Sequence, residues 1–244
     1  MAGAAFCATD VQSIIRQSVA ANQADWKAAP KYSWTEEDRT DQGDRTYDVT
    51  MIDGSPWRRL IQVDGVALSP EDRRREQQKV EAVTRKRNGE SPAARQERIA
   101  KYQKEREGDH LLMDQLAKAF DFALTGSQTI GSRDTYVLRA TPRQGYNPPN
   151  KEARVLTGME GQLWIDKQTD QWVKVTAQVI HPVSIIGFFA RVEPGTEFEL
   201  EKAPVTQGIW LPKHFAMKST SRILSIFGHH TQEDETYSDY RPIS

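Results

Sequence analysis

Cysteine is nearly absent. Cys7 is the only one among 244 residues, so no intrachain disulfide and no thiolate metal cluster can form. Long apolar runs are missing too, since none approaches the roughly 20 residues that cross a bilayer as a helix. Charge of one sign is also lacking. Lys and Arg number 33 against 34 Asp and Glu, a net of −1, so the chain carries no global field for nucleic acid. No phosphate-cradling glycine loop, nucleophile elbow or His-Glu-x-x-His helix is present, which removes the common catalytic signatures. The opening stretch, residues 1–8, is small and apolar but has no basic n-region. It reads as a signal remnant or a disordered terminus, leaving 9–244 as one domain.

What is there begins with an amphipathic helix from Thr9 to Ala28. Val11, Ile14, Ile15, Val19 and Trp26 share one face, Thr9 and Gln12 fit a capping box, and Pro30 ends the helix. Strand signals follow at Tyr32 and Trp34, at Tyr47-Val49-Met51 in strict alternation, and at Trp57 to Val63. Gly43 and Asp53-Gly54-Ser55-Pro56 punctuate them, as in a β-meander. Residues 69–108 then switch to helix. Ser69-Pro70 and Ser91-Pro92 are start signals, and Asn88-Gly89 and Gly108 are stops. Between Glu71 and Glu107 stand twelve Lys or Arg and eight Asp or Glu. That mixture predicts a solvated helical hairpin laced with ion pairs, with a nucleic-acid or anionic-membrane arm as the functional alternative. A third helix is expected over Asp109 to Leu124, with Leu112, Leu116, Phe120 and Ala123 on one stripe.

The remainder is β-rich. Strands are expected at Tyr136 to Ala140, Leu163 to Asp166 and Trp172 to Ile180, and again around Phe198, Trp210 and Tyr237 to Tyr240. Two runs refuse to alternate: Ile185-Ile186-Gly187-Phe188-Phe189-Ala190 and Ile223-Leu224-Ser225-Ile226-Phe227. A half-solvated strand alternates because successive side chains point to opposite faces, so both faces of these runs ask for apolar cover. Five of the tryptophans (Trp34, Trp57, Trp164, Trp172 and Trp210) fall in expected strands, where they suit either sheet core or a lined pocket. His229-His230 with Glu233, Asp234 and Glu235, joined by His214 or His181, has the residue types of a divalent-metal site and of a metal-dependent hydrolase. Gly228 and turn-like spacing make an exposed hairpin tip sufficient, so no metal, cofactor or catalytic residue is assigned.

The order of elements, with Gly161-Gln162-Leu163-Trp164-Ile165-Asp166, Trp172-Val173-Lys174-Val175, Gly208-Ile209-Trp210-Leu211-Pro212 and Tyr237-Ser238-Asp239-Tyr240, resembles the outer-membrane lipoprotein-sorting (LolA-like) carrier superfamily. The resemblance implies an α+β fold: a strongly curved antiparallel sheet, an unclosed β-barrel, with helices over its concave face. It also implies a non-enzymatic protein of the periplasm or cell envelope that binds lipid or lipoprotein acyl chains. Candidate ligand-binding residues are then Trp164, Trp172, Ile185, Ile186, Phe188, Phe189, Trp210, Ile223, Phe227, Leu112, Leu116 and Phe120. A self-filled barrel acting as a sensor or interaction module is the alternative, with a protein partner at residues 71–107 or at a free sheet edge.

Overall fold

The computed structural model describes residues 10–150, 152–186, 190–219 and 232–243. Helix α1 (Val11–Ala28) starts at Asp10, whose carboxylate accepts the Gln12 N–H at 3.0 Å. Thr9, expected to cap it, lies outside the described residues. Two further helices begin where Ser-Pro pairs predict. Ser69 Oγ accepts the Asp72 N–H ahead of α2 (Pro70–Asn88), and Ser91 Oγ accepts the Ala94 N–H ahead of α3 (Pro92–Ala119). Gly89 stops α2 as expected, whereas α3 runs straight through Gly108. A helix-interior glycine costs only about 1 kcal/mol, too little to break a helix held at both ends. Helix α3 also stops earlier than Leu124, because Phe120 to Leu124 pair as strand with Pro142 to Leu138.

The strands are β1 (Tyr32–Thr40), β2 (Gly43–Ile52), β3 (Ser55–Val63), β4 (Val66–Ala67), β5 (Phe120–Ile130), β6 (Arg133–Pro142), β7 (Met159–Asp166), β8 (Trp172–Val179), β9 (Val183–Ile186), β10 (Ala190–Val192), β11 (Glu197–Thr206), β12 (Ile209–Lys218) and β13 (Gln232–Pro242). Eleven of them form one antiparallel sheet in the order β4-β3-β2-β1-β13-β12-β11-β8-β7-β6-β5, while β9 and β10 pair separately. The end strands β4 and β5 do not pair, so the barrel is unclosed. Strand β13 joins the two meanders by pairing with both β1 and β12. Register shifts at Thr46/Tyr47, Leu124/Gly126, Trp164/Ile165 and Glu201/Lys202 mark bulges, which bend strands and add twist. The β2–β3 turn needs Asp53 and Gly54 at φ of 48° and 87°, the pairing that favours Asp-Gly in two-residue hairpins. A Cβ on Gly54 would also press on Ile99 of α3.

Helices α1 and α3 lie on one face of the sheet, termed the inner face. Ile14 and Ile15 of α1 and Leu116 of α3 pack there with Leu138, Leu163, Trp172, Val179 and Met217. Helix α2 sits differently. Its Arg87 guanidinium donates to the carbonyls of Ile52, Ser55 and Pro56 around the β2–β3 turn. Its Val80 walls a cavity of about 540 Å³ with Ser33, Thr50 and Ile61, which point from the outer face. The two helices of the charged segment thus straddle the β3 edge.

Candidate functional site on the inner face

Strict alternation divides the inner face into two chemically distinct halves. Over β6, β7, β8, β11 and β12 it presents Leu138, Leu163, Val175, Phe198 and Phe215. Pairing fixes this register: Leu163 stands opposite Val175, Val175 opposite Leu200, and Phe198 opposite Met217. Helix α1 roofs this half and is tied to it by a buried ionic clasp. Lys202 Nζ donates to Asp25 Oδ2 at 2.6 Å and to Asn22 Oδ1 at 2.7 Å. Asp25 Oδ1 accepts the Trp210 N–H at 2.9 Å and the Gln171 amide at 3.2 Å. Burial pushes the Lys202 ammonium below the usual lysine range, with the Asp25 carboxylate opposing that shift. The same C-terminal end of α1 is also held by Trp26, whose ring stacks on His110 at 4.3 Å with the Arg106 guanidinium 4.6 Å from its centroid.

Across the β12–β13 seam the same face becomes charged. Phe215 stands opposite Glu235, and Met217 opposite Glu233. Glu235 in turn stands opposite Asp38, and Tyr237 opposite Glu36. Arg58 reaches in from β3 to pair with Glu36, and with Asp38 at 3.3 Å, while lying 4.1 Å over the Tyr47 ring. Trp34 Nε1 donates to Glu36 at 3.1 Å, and the Tyr237 hydroxyl donates to Glu235. Burial raises Glu36 above the usual carboxylate range; Arg58 works against that shift. Tyr237 and Tyr240 are raised by burial and by the neighbouring carboxylates. One oxygen each from Asp38, Glu233 and Glu235 lies within 4.8 Å of the others, a set able to accept a cation, with Arg58 already competing for it.

The residues singled out in the sequence are distributed unevenly. Trp172, Leu116 and Phe120 meet in the apolar half, Phe120 from the first position of β5 and not from a helix. Trp164 and Trp210 turn to the outer face, where they pack with Val173 under Ile130 and Val137. Arg133 covers Trp210 at 4.4 Å, and Trp164 Nε1 donates to Gln128 at 2.8 Å. Leu112 lies in α3, and Ile185 and Ile186 in β9, with Ile186 opposite Ala190. Phe188, Phe189, Ile223 and Phe227 lie outside the described residues, as do His229 and His230. Glu233, Asp234 and Glu235 are strand residues and not a hairpin tip. Alternation sends Asp234 to the outer face, 3.1 Å from His214, and its two neighbours inward.

Sequence reasoning missed the clasp and the charged half. The first had a signal: Ser18, Asn22 and Asp25 continue the Ile14–Ile15 stripe at helical spacing, and all are buried. The second had none, because a strand with carboxylates on both faces carries no hydrophobic period.

The outer face carries a cavity of about 690 Å³ across β7 to β13, lined mainly by polar side chains such as Glu160, Gln162, Gln178, Glu199 and His214. No helix among the described residues is long and apolar enough to cross a membrane.

No family model matches the chain, and no curated protein does. Among solved structures, it is similar to an outer-membrane lipoprotein-sorting protein domain from Vibrio parahaemolyticus, at 13% identity and a TM-score of 0.38 over 94% of each chain. It is also similar to a DUF1329 family protein from Desulfovibrio piger, at 11% identity and a TM-score of 0.36, over 95% of this chain and 92% of that one. It is similar as well to a LolA superfamily protein from Nitrosomonas europaea, at 11% identity and a TM-score of 0.36, over 97% of this chain and 95% of that one.

Proposed function

We propose that this protein is a non-enzymatic binding protein of the cell envelope that holds a hydrophobic ligand, a lipid or lipoprotein acyl chain, against the apolar half of its inner face. The observation that supports this reading is the roof. A broad apolar sheet surface is covered by α1, an amphipathic helix held by the buried clasp and by the contacts of Trp26 with α3. Displacing α1 would bare Trp172, Val175, Phe198 and Phe215 beside Leu116 and Phe120. An acyl chain laid there gains about 0.8 kcal/mol per buried CH₂ without any polar recognition motif. Organic extraction of the purified protein followed by mass spectrometry should recover lipid near one per chain, and a fluorescent fatty acid should displace it. Failure of both extraction and uptake overturns the reading.

A second reading is favoured by one observation. Trp172, Leu138, Ile165 and Val179 are already fully buried beneath the protein's own side chains. In that case the fold is an interaction module whose partner is another protein, met at residues 71–107 or at the β5 edge. Removing 71–107 would then abolish partner binding while leaving acyl-chain uptake unaffected; the first reading predicts that uptake exists to be measured.

A further inference from the structure

Residues 71–107 carry twelve bases and eight acids, a net of +4 in a chain whose total is −1, so the rest of the molecule stands at −5. The sequence mixes the two signs, but α2 sorts them. At about 100° per residue, Glu76, Val80, Val83 and Arg87 share the side turned to the sheet, and Glu76 is buried. Arg74, Arg75, Lys79, Arg85 and Lys86 then fall within an outward arc of about 140°, and all five are exposed. Glu71 is the one acid on that arc, in the first turn, where it pairs with Arg75 at 3.2 Å. Asp72, Glu76 and Glu81 lie beside it and pair with its bases, Asp72 with Arg75 at 3.2 Å, Glu76 with Lys79 and Glu81 with Arg85 at 4.0 Å. The exposed arc therefore carries the ion pairs that the composition predicts, and within them an excess of bases along a rod about 28 Å long.

We propose that the outward face of α2 docks this protein on an anionic membrane surface. The inference rests on the proposed carrier function, which requires the protein to meet a bilayer to load or release an acyl chain. Charge complementarity supplies the rest. A polybasic strip is drawn to anionic headgroups, whereas the remaining −5 is repelled, so the molecule is oriented with α2 down. The arc holds no large apolar residue, so contact is electrostatic and reversible and stays at the headgroups.

Sedimentation with vesicles of phosphatidylcholine containing 30% phosphatidylglycerol tests this in 0.1 M NaCl. Binding should be at least ten-fold stronger than to pure phosphatidylcholine and should be lost in 0.5 M NaCl. Arg74→Glu/Lys79→Glu/Arg85→Glu should abolish it, and the milder Arg74→Gln/Lys79→Gln/Arg85→Gln should weaken it while unfolding at the wild-type urea midpoint. Lys101→Glu/Lys104→Glu, on α3, should leave it intact. Equal binding to both vesicles, or triple variants that bind as wild type, overturns the proposal, as does retention on nucleic acid but not on vesicles. A protein that yields lipid on extraction yet ignores the vesicles refutes this inference alone. One that binds the vesicles but neither contains nor takes up lipid refutes the carrier reading and keeps the surface.

Discussion

Strands β7 and β8 turn Leu163 and Val175 to the inner face, into the apolar cluster shared with α1 and α3, where Leu163 is buried and Val175 partly so. A few strands away, β13 and β1 turn Glu235, Glu233, Asp38 and Glu36 to that same face. One sheet and one face thus serve opposite chemistries, and the change occurs across a single ladder, at Phe215–Glu235 and Met217–Glu233. The difference lies in what covers each half. Helix α1 brings Ile14 and Ile15 to the apolar half, whereas the charged half depends on Arg58, Trp34 and Tyr237 for its hydrogen bonds. A sheet face has no polarity of its own; each strand is matched to its cover. The clasp of Lys202 and Asp25 brings charge into the apolar half, and the two groups are paired with each other there.

That contrast can be broken most severely at the clasp. Asp25→Ala or Lys202→Ala alone should cost about 3–5 kcal/mol by leaving a buried charge without its partner. Asp25→Leu/Lys202→Met should recover most of that loss in the same urea titration. Leu138→Ala, in the apolar half, should cost about 2–5 kcal/mol through the cavity it leaves, whereas Glu235→Gln, in the charged half, should change stability by no more than about 1 kcal/mol. Equal costs at the two sites would erase the distinction. Gly161→Ala should cost about 1–3 kcal/mol by overpacking, because its Cβ would collide with the Thr176 carbonyl.

The pH dependence should separate the halves by sign. Glu36 is raised in the folded state, so the fold holds its proton more tightly and stability falls as pH rises from 4.5 through its folded pKa. Lys202 is lowered, so the unfolded chain holds the proton more tightly and stability rises with pH between its folded pKa and 10.5. Glu36→Gln should flatten the first slope and Lys202→Met the second, in denaturant melts across the two windows. The smallest effect is expected at the surface, where Glu71→Gln should move stability by no more than about 0.5 kcal/mol.

Much of the fold was legible because it rests on local rules. The Ser-Pro starts of α2 and α3, the Asp53-Gly54 turn and the Tyr47-Val49-Met51 alternation each act over a few residues. Strand β5 was less legible. Its first residues, Phe120 to Leu124, fit a helical stripe as well as a strand, and only pairing with β6 settles them. The acids of β13 read as a turn because polar strands lack a hydrophobic period. Of the tryptophans, pattern placed five in strands but not on a face. The bulges at Trp164/Ile165 and Glu201/Lys202 shift the alternation, and side chains beyond such a shift exchange sides.

Composition and local pattern alone therefore determined an α+β chain of antiparallel strands and capped helices, with no disulfide or thiolate cluster, because those properties depend on neighbours in sequence. Tertiary structure decided which strand lies beside which, and so which charges meet. Asp25 and Lys202 are 177 residues apart, and Asp38 and Glu235 join only because β13 returns to pair with β1. Such encounters are settled by the packing of distant segments, which leaves no periodic trace in the chain.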